Sequence, residues 1–370
     1  MIEQFGHGGD VETASASFGW RVDSFLDYSA NINPLGPPPQ VMEVIRDGLS
    51  SVIRYPDPAH RALRQKLSGY LGVPAEMLCI GNGAAECMAL LILGLKPEMI
   101  GTVEPCFSEY SELARKFGSE VASVFGSEDR HWRAPLEDIL SLLGQVDMLF
   151  LGQPNNPNGV QYGMDELSAL AAKAEEEQTY LILDEAFIDF IEPNCRITLL
   201  PEIQRYPHVV LVRSMTKFYA IPGLRLGYAA AHPDVIQAMR NKQVSWSVNG
   251  LALSAGLACL DSGEAYEMDT ISMTVRERAR LADGLTMLGC RATPSEVNYL
   301  LIKLPAPWTA QTMQRELGEQ GILIRSCAMY PGLEAGHIRV AVKDGESNQR
   351  LLAAMDKALN KRMNEGSSDE

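Results

Sequence analysis

Apolar positions along this chain follow two rhythms. Short runs rich in β-branched residues recur at 77–80, 100–104, 120–125, 147–152, 180–184, 209–213 and 226–231. Each has strand length and the composition that suits a pleated surface. Longer stretches with helical spacing separate them, as at 84–95 and 164–177. Alternation of strand and helix predicts an α/β fold with a mostly parallel, seven-stranded sheet covered on both faces. Beyond residue 231 the rhythm is helical to about 288; short strands at 298–304 and 337–342 then flank a helix at 310–320. That predicts a smaller α+β domain, with the segment before about residue 50 packed on it. The run from Asn33 to Pro39 holds four prolines, so it cannot be helix interior and is expected as an extended connector. The division expected is an N-terminal arm belonging with the small domain (1–45), a large domain (46–255), the small domain (256–362) and a polar, disordered tail (363–370).

Composition narrows the function classes. Of 370 residues, 46% are hydrophobic and 21% charged, as in ordinary soluble globular proteins. A net charge of −15 weighs against nucleic acid or an anionic membrane as partner. An anionic ligand then needs a local basic pocket. The start of the chain lacks the apolar core of a secretion signal, and apolar runs such as 88–93 are too short to span a bilayer. Seven cysteines, an odd number without a CxxC pair, fit reduced thiols in a cytoplasmic protein. The six histidines are scattered, and no metal site is expected.

The candidate chemistry centres on Lys217. It lies in Ser214-Met215-Thr216-Lys217, eight residues before Arg225. A lysine amine becomes a useful nucleophile in a partly dry pocket near other cations, where it can hold an aldehyde cofactor as an imine. Alone, Lys217 reads far more readily as a solvated surface lysine; Ser214, Thr216 and Arg225 reverse that. Asp184 closes the apolar run 180–184, where a carboxylate can face a pyridine nitrogen and keep it protonated. Glu185 competes for that role, but alternation sends the two side chains opposite ways. Asn156, in Pro154-Asn155-Asn156-Pro157-Asn158-Gly159, can donate to a ring phenolate, although the same residues make a plain turn. Gly81-Asn82-Gly83-Ala84 follows a strand and opens a helix, a place where backbone N–H groups meet a phosphate. Ser214 and the fork of Arg225 complete that cup. Phe107, just past another strand end, is the aromatic expected over the ring.

In order and spacing these residues resemble the fold-type I pyridoxal-phosphate enzymes of the aspartate aminotransferase superfamily, over nearly the whole chain. The resemblance implies pyridoxal 5′-phosphate as cofactor, with Lys217, Asp184, Asn156, Gly83, Ala84, Phe107, Ser214, Thr216 and Arg225 around it. Arg54-Tyr55-Pro56-Asp57-Pro58 is similar to a segment of the branch holding histidinol-phosphate aminotransferase and threonine-phosphate decarboxylase. There a tyrosine, here Tyr55, reaches the cofactor phosphate of the neighbouring subunit, which implies a homodimer with shared sites. His7-Gly8-Gly9, Asp184-Glu185-Ala186-Phe187, Trp246-Ser247-Val248-Asn249 and Ile324-Arg325-Ser326-Cys327 resemble the decarboxylase more. Phe187 stands where the aminotransferases carry a tyrosine, so Asn156 is left as the phenolate's donor. The resemblance further implies Arg339 for a substrate carboxylate, Arg325, His7 and the Gly8 backbone for a substrate phosphate, and contacts from Asn31 and Asn156. The reaction implied is loss of CO2 from a small phosphorylated amino acid, L-threonine O-3-phosphate. Transamination of histidinol phosphate and a non-catalytic, cofactor-binding module are the alternatives.

Overall fold

The computed structural model describes residues 8–366. They form two compact units. The larger contains Leu35–Asn156 and Val160–Ile271; the smaller contains the chain up to Pro34, Pro157–Gly159 and the chain from Ser272.

Seven strands make the sheet of the larger unit, in the order Leu78–Gly81, Gly227–Ala230, Val209–Ser214, Tyr180–Asp184, Met148–Gly152, Met99–Glu104, Glu120–Phe125. Every predicted strand is present, to within a residue at either end. Neighbours run parallel except for the two pairs made by Gly227–Ala230. The central strands are buried at successive positions, so both faces are covered. Helices Ala84–Leu95 and Pro233–Arg240 pack on each other, and Met88, Leu91, Ile236 and Met239 share one apolar cluster with Ile182 and Val212 of the sheet.

This topology collects the candidate chemistry at one edge. Parallel strands deliver their carboxyl ends to the same side. Gly81-Asn82-Gly83, Ser214, Asp184, Asn156 and Phe107 therefore lie at or just past that edge. Arg225 precedes its strand, yet that strand runs in reverse, so Arg225 reaches the same edge.

The smaller unit carries an antiparallel sheet ordered Arg325–Ser326, His337–Ala341, Tyr299–Lys303, Arg291–Ala292. A parallel pair, Leu26–Asp27 with Ile322–Leu323, ties the N-terminal segment to it. Its core includes Tyr28, Leu300, Met313, Ile338, Leu351 and Met355. The connector ends at Pro38; Pro39 opens the helix Pro39–Gly48, at a position where a missing N–H costs nothing. The helix Gly345–Gly366 runs further than a disordered tail from residue 363 allows. Its buried Leu351, Met355 and Leu359 anchor it to the core, and each residue added to an existing helix costs little. Among the described residues no helix is long and apolar enough to cross a membrane, and no group of His, Cys, Asp or Glu is placed to hold a metal ion.

A buried ion pair braces the strand ends behind the candidate site. Glu185 is fully buried, and its Oε2 lies 2.8 Å from the guanidinium of Arg213. Glu185 follows Asp184 and Arg213 precedes Ser214, on neighbouring strands. Alternation thus turns Glu185 away from Asp184, which removes it as the competing acid. Arg213 is held above its ordinary pKa: burial is the largest single influence and works against the charge, but Glu185, Tyr228 and Asp189 together outweigh it. Deleting one partner strands the other charge in the core. Glu185→Ala is expected to cost about 3 kcal/mol in urea unfolding, and Glu185→Leu with Arg213→Met to recover much of the loss. Equal destabilisation by the single and double changes would show that packing, not charge, dominates there.

Candidate active site

Lys217 sits in a four-residue helix, Met215–Phe218, that Ser214 caps. Alanine-free and short, this turn is held by its hydroxyls. Ser214 Oγ lies 2.8 Å from Thr216 Oγ1 and accepts a bond of 3.2 Å from Lys217 Nζ. Ser214 and Thr216 are buried while Lys217 is half-buried. The amine is thereby fixed at the sheet edge with only part of its side chain in water.

Asp184 is buried, and three groups meet its charge. Tyr110 Oη donates to Oδ2 at 2.7 Å, the Ala186 N–H donates to Oδ1 at 3.1 Å, and the Lys217 ammonium acts through space. Burial is the largest influence and raises the Asp184 pKa above the usual carboxylate range. Tyr110 is in turn stacked on Phe150 (5.0 Å between centroids) and meets Phe107 edge-on (5.7 Å). Phe107, half-buried, belongs to this aromatic group.

Gly83 and Arg225 form the opposite side. Gly83 adopts φ 86°, outside the range other residues favour, and caps the helix Ala84–Leu95. A Cβ there would stand 2.6 Å from Arg225 Nη2. Arg225 is itself left-handed (φ 57°), with Nη1 3.4 Å from the Pro222 carbonyl. Ala84, the first helical residue, presents an N–H that a helix leaves over for an anion. The guanidinium thus lies against a helix N-terminus, two features of one anion cradle.

Asn156 is half-buried in the loop that follows Met148–Gly152. Its neighbour Asn155 donates to the Pro105 carbonyl at 2.9 Å and ties this loop to the one bearing Phe107. Tyr55 is 81% exposed, and its ring packs on Trp246 (4.6 Å). Phe187 is buried against Phe190.

The remaining predicted residues fall in the smaller unit, except that His7 lies outside the described residues. Arg325 and Arg339 face each other on paired strands and are 2% and 6% exposed. Arg339 Nη2 donates to the Ser29 carbonyl at 2.7 Å. Tyr330 and Tyr299 present ring faces to the two guanidiniums, at 5.7 and 5.4 Å. Like charges directly opposite each other destabilise a sheet, and an anion between them reverses the sign. Asn31 is buried, its carbonyl takes the Asn298 amide at 3.0 Å, and its Oδ1 has no hydrogen-bond partner among the described residues. Gly8 abuts Ser29.

Two site residues escaped the sequence. Tyr110 and Asn155 act through neighbours, and only the i, i+3 spacing of Phe107 and Tyr110 hinted at the first.

The raised pKa of Asp184 has a consequence for stability. A carboxyl that binds its proton more tightly when folded contributes stability fully below its unfolded pKa and loses it as pH rises through the folded value. Asp184→Asn escapes that loss. The melting temperature of the cofactor-free variant is expected to gain on the parent by roughly 2 °C or more between about pH 4 and about pH 7. A constant difference across that range would mean that Asp184 carries no burial penalty.

Known proteins place the chain. It is 39% identical over 355 residues to the threonine-phosphate decarboxylase of Salmonella typhimurium, covering 95% of this chain and 96% of that protein. It is 33% identical over 355 residues to the histidinol-phosphate aminotransferase of Symbiobacterium thermophilum, covering 95% of each. The crystal structure of the histidinol-phosphate aminotransferase from Clostridium acetobutylicum matches with a TM-score of 0.84 at 32% identity, over 90% of this chain and 99% of that one. Residues 23–355 match the model of the aminotransferase class I and II family, and the chain belongs to that family, whose members bind pyridoxal 5′-phosphate.

Proposed function

We propose that this protein is a pyridoxal-phosphate-dependent decarboxylase that converts L-threonine O-3-phosphate to (R)-1-amino-2-propanol O-2-phosphate and CO2, a step of cobalamin biosynthesis. The observation that carries the reading is the buried pair Arg325 and Arg339. A substrate bearing both a phosphate and a carboxylate suits two guanidiniums held on facing strands. The 39% identity to a threonine-phosphate decarboxylase supports the same choice.

The residues at the sheet edge fit the cofactor. Gly83 leaves room at Arg225 that a Cβ would fill, and Asp184 is a buried acid in need of a cationic partner. When bound, pyridoxal phosphate supplies an aldehyde and a protonated ring that takes up the electron pair left by a bond breaking at the substrate's Cα. Lys217 is the amine that tethers it, steadied by Ser214. Asp184 would keep the ring proton in place, and Tyr110 holds that carboxylate in position. Ser214, Thr216, Gly83, Ala84 and Arg225 take the cofactor phosphate. Asn156 would donate to the cofactor's ring oxygen, and Phe107 would cover the ring. Arg339 binds the substrate carboxylate; Arg325, His7 and Gly8 bind its phosphate, with Asn31 beside them. Once CO2 has left, Lys217 or water returns a proton to Cα. Phe187, buried, stands where the resembling aminotransferases carry a tyrosine, so no hydroxyl would be offered to the ring oxygen from that position.

Transamination of histidinol phosphate is the second reading, favoured by the 33% identical relative. A stopped assay with L-threonine O-3-phosphate that measures CO2 and ketone together separates the two. CO2 is expected, and Lys217→Ala should reduce its release by about 10²–10⁴-fold. Ketone formed only with 2-oxoglutarate present, without CO2, would make the protein a transaminase.

The reading also includes a homodimer that shares its sites. The segment Leu49–Ile53 leaves Val52 and Ile53 67% and 85% exposed; nearby in sequence, Tyr55 packs on Trp246, which is two residues from an exposed Val244. Side chains of this kind mark a surface that another chain covers. Sedimentation is expected to give twice the chain mass of 40.6 kDa, and Ile53→Asp to give monomers. A monomeric parent protein at micromolar concentration would overturn the shared site.

A further inference from the structure

Ser29 occupies a position in the smaller unit that no role accounts for. It is 4% exposed, and all of its polar groups are engaged. Its N–H and its hydroxyl both donate to Asp27 Oδ1, at 2.8 and 2.6 Å. With its proton committed to Asp27, the hydroxyl oxygen accepts from the Gly9 N–H at 2.8 Å. Its carbonyl accepts from Arg339 Nη2 at 2.7 Å. Gly8 lies against that same carbonyl: a Cβ on Gly8 would stand 2.3 Å from Ser29 O and 2.7 Å from Ser29 C. One residue therefore meets the Gly8-Gly9 segment and the guanidinium together.

The chemistry of the contacts suits positioning. A neutral carbonyl orients a guanidinium without cancelling its charge, so the charge stays available to an anion. Arginine is a planar fork, and fixing one terminal nitrogen restricts the direction in which the rest of the fork presents its donors. Asp27, through two bonds to Ser29, fixes the residue that does the fixing. The N-terminal segment adds a second constraint. It docks by a hydrogen bond to the hydroxyl and by a contact that only glycine at position 8 permits.

We propose that Ser29 is a positioning residue that aims Arg339 at the substrate carboxylate and docks Gly8-Gly9 beside it, so that the N-terminal segment and the guanidinium form one substrate-binding element. The proposal rests on the reading of Arg339 given above. A shift in either partner then reaches the other through the Ser29 carbonyl. A side chain at position 8 would push that carbonyl and turn the Arg339 fork; loss of the hydroxyl would release Gly9.

The test uses the cofactor-loaded enzyme with L-threonine O-3-phosphate, together with hydrogen exchange of the peptide containing Gly9. Ser29→Ala is expected to raise KM about tenfold with little change in kcat or in cofactor affinity, and to speed exchange in that peptide. Ser29→Thr, which keeps the hydroxyl, should restore both. Gly8→Ala is expected to raise KM at least as much, and it serves as the second probe should Ser29→Ala fold poorly. Arg339→Ala is the control. A large rise in KM for Arg339→Ala with parental KM for both Ser29→Ala and Gly8→Ala would overturn this inference alone. Parental KM for Arg339→Ala would overturn the reading of Arg339 and the inference with it. Equal losses of cofactor and substrate affinity in Ser29→Ala would mark Ser29 as a general structural residue and defeat the proposal.

Discussion

A carboxylate withdrawn from water is the constraint on which the larger unit depends. Asp184 is buried at the end of a strand that is itself inaccessible on both faces. Burial alone favours the neutral acid. The fold opposes this with a phenol at 2.7 Å, a backbone N–H and the nearby Lys217 ammonium. Each is supplied by a different segment, so the charge of Asp184 depends on the whole sheet edge being in register. A protonated pyridine nitrogen is the partner that such an acid most favours, because it adds a positive charge inside the low-dielectric site. On the proposed reading, a cofactor ring facing Asp184 would complete an electrostatic arrangement that the protein alone leaves costly.

Reversal of one strand gives that edge its second half. In an all-parallel sheet, residues preceding a strand lie at the far edge. Gly227–Ala230 runs against both neighbours, and so Arg225, which precedes it, joins Ser214, Asp184 and Gly83. The chain between Ser214 and Gly227 then needs only a short excursion, and that excursion holds Lys217. Behind it, Glu185 and Arg213 pin together the ends of the strands that carry Asp184 and Ser214. Lysine and acid are thus spaced by sheet geometry, not by flexible loops, as sites on rigid elements should be.

Much of this was legible in the chain itself. Strand bounds fell within a residue because buried parallel strands announce themselves as short, β-branched runs between helical patterns. The Lys217 cluster was legible because its members are close in sequence. Alternation meant that only one of Asp184 and Glu185 could face the candidate site, and the ion pair of Glu185 with Arg213 leaves Asp184 as that one. What the sequence hid were partners distant in the chain. Tyr110 meets Asp184 across 74 positions, Asn155 meets Pro105 across 50, and Ser29 meets Arg339 across 310. No periodicity encodes such pairs; they follow from strand order and register. The facing of Arg325 and Arg339 is of this kind, since it exists only through the pairing of two short strands.

The last tension is between the overall field and the proposed substrate. The chain carries a net charge of −15, yet a phosphorylated amino acid is an anion. Distance settles which effect governs binding. At physiological salt the Debye length is about 8 Å, so charges scattered over the surface are largely screened at the site. Two guanidiniums on facing strands, buried at 2% and 6% exposure, are screened far less. Their mutual repulsion adds to the effect, because an anion placed between them relieves a cost already present in the protein. On the proposed function, the overall charge would bear on how fast the anionic substrate approaches, and the paired arginines on how tightly it is held.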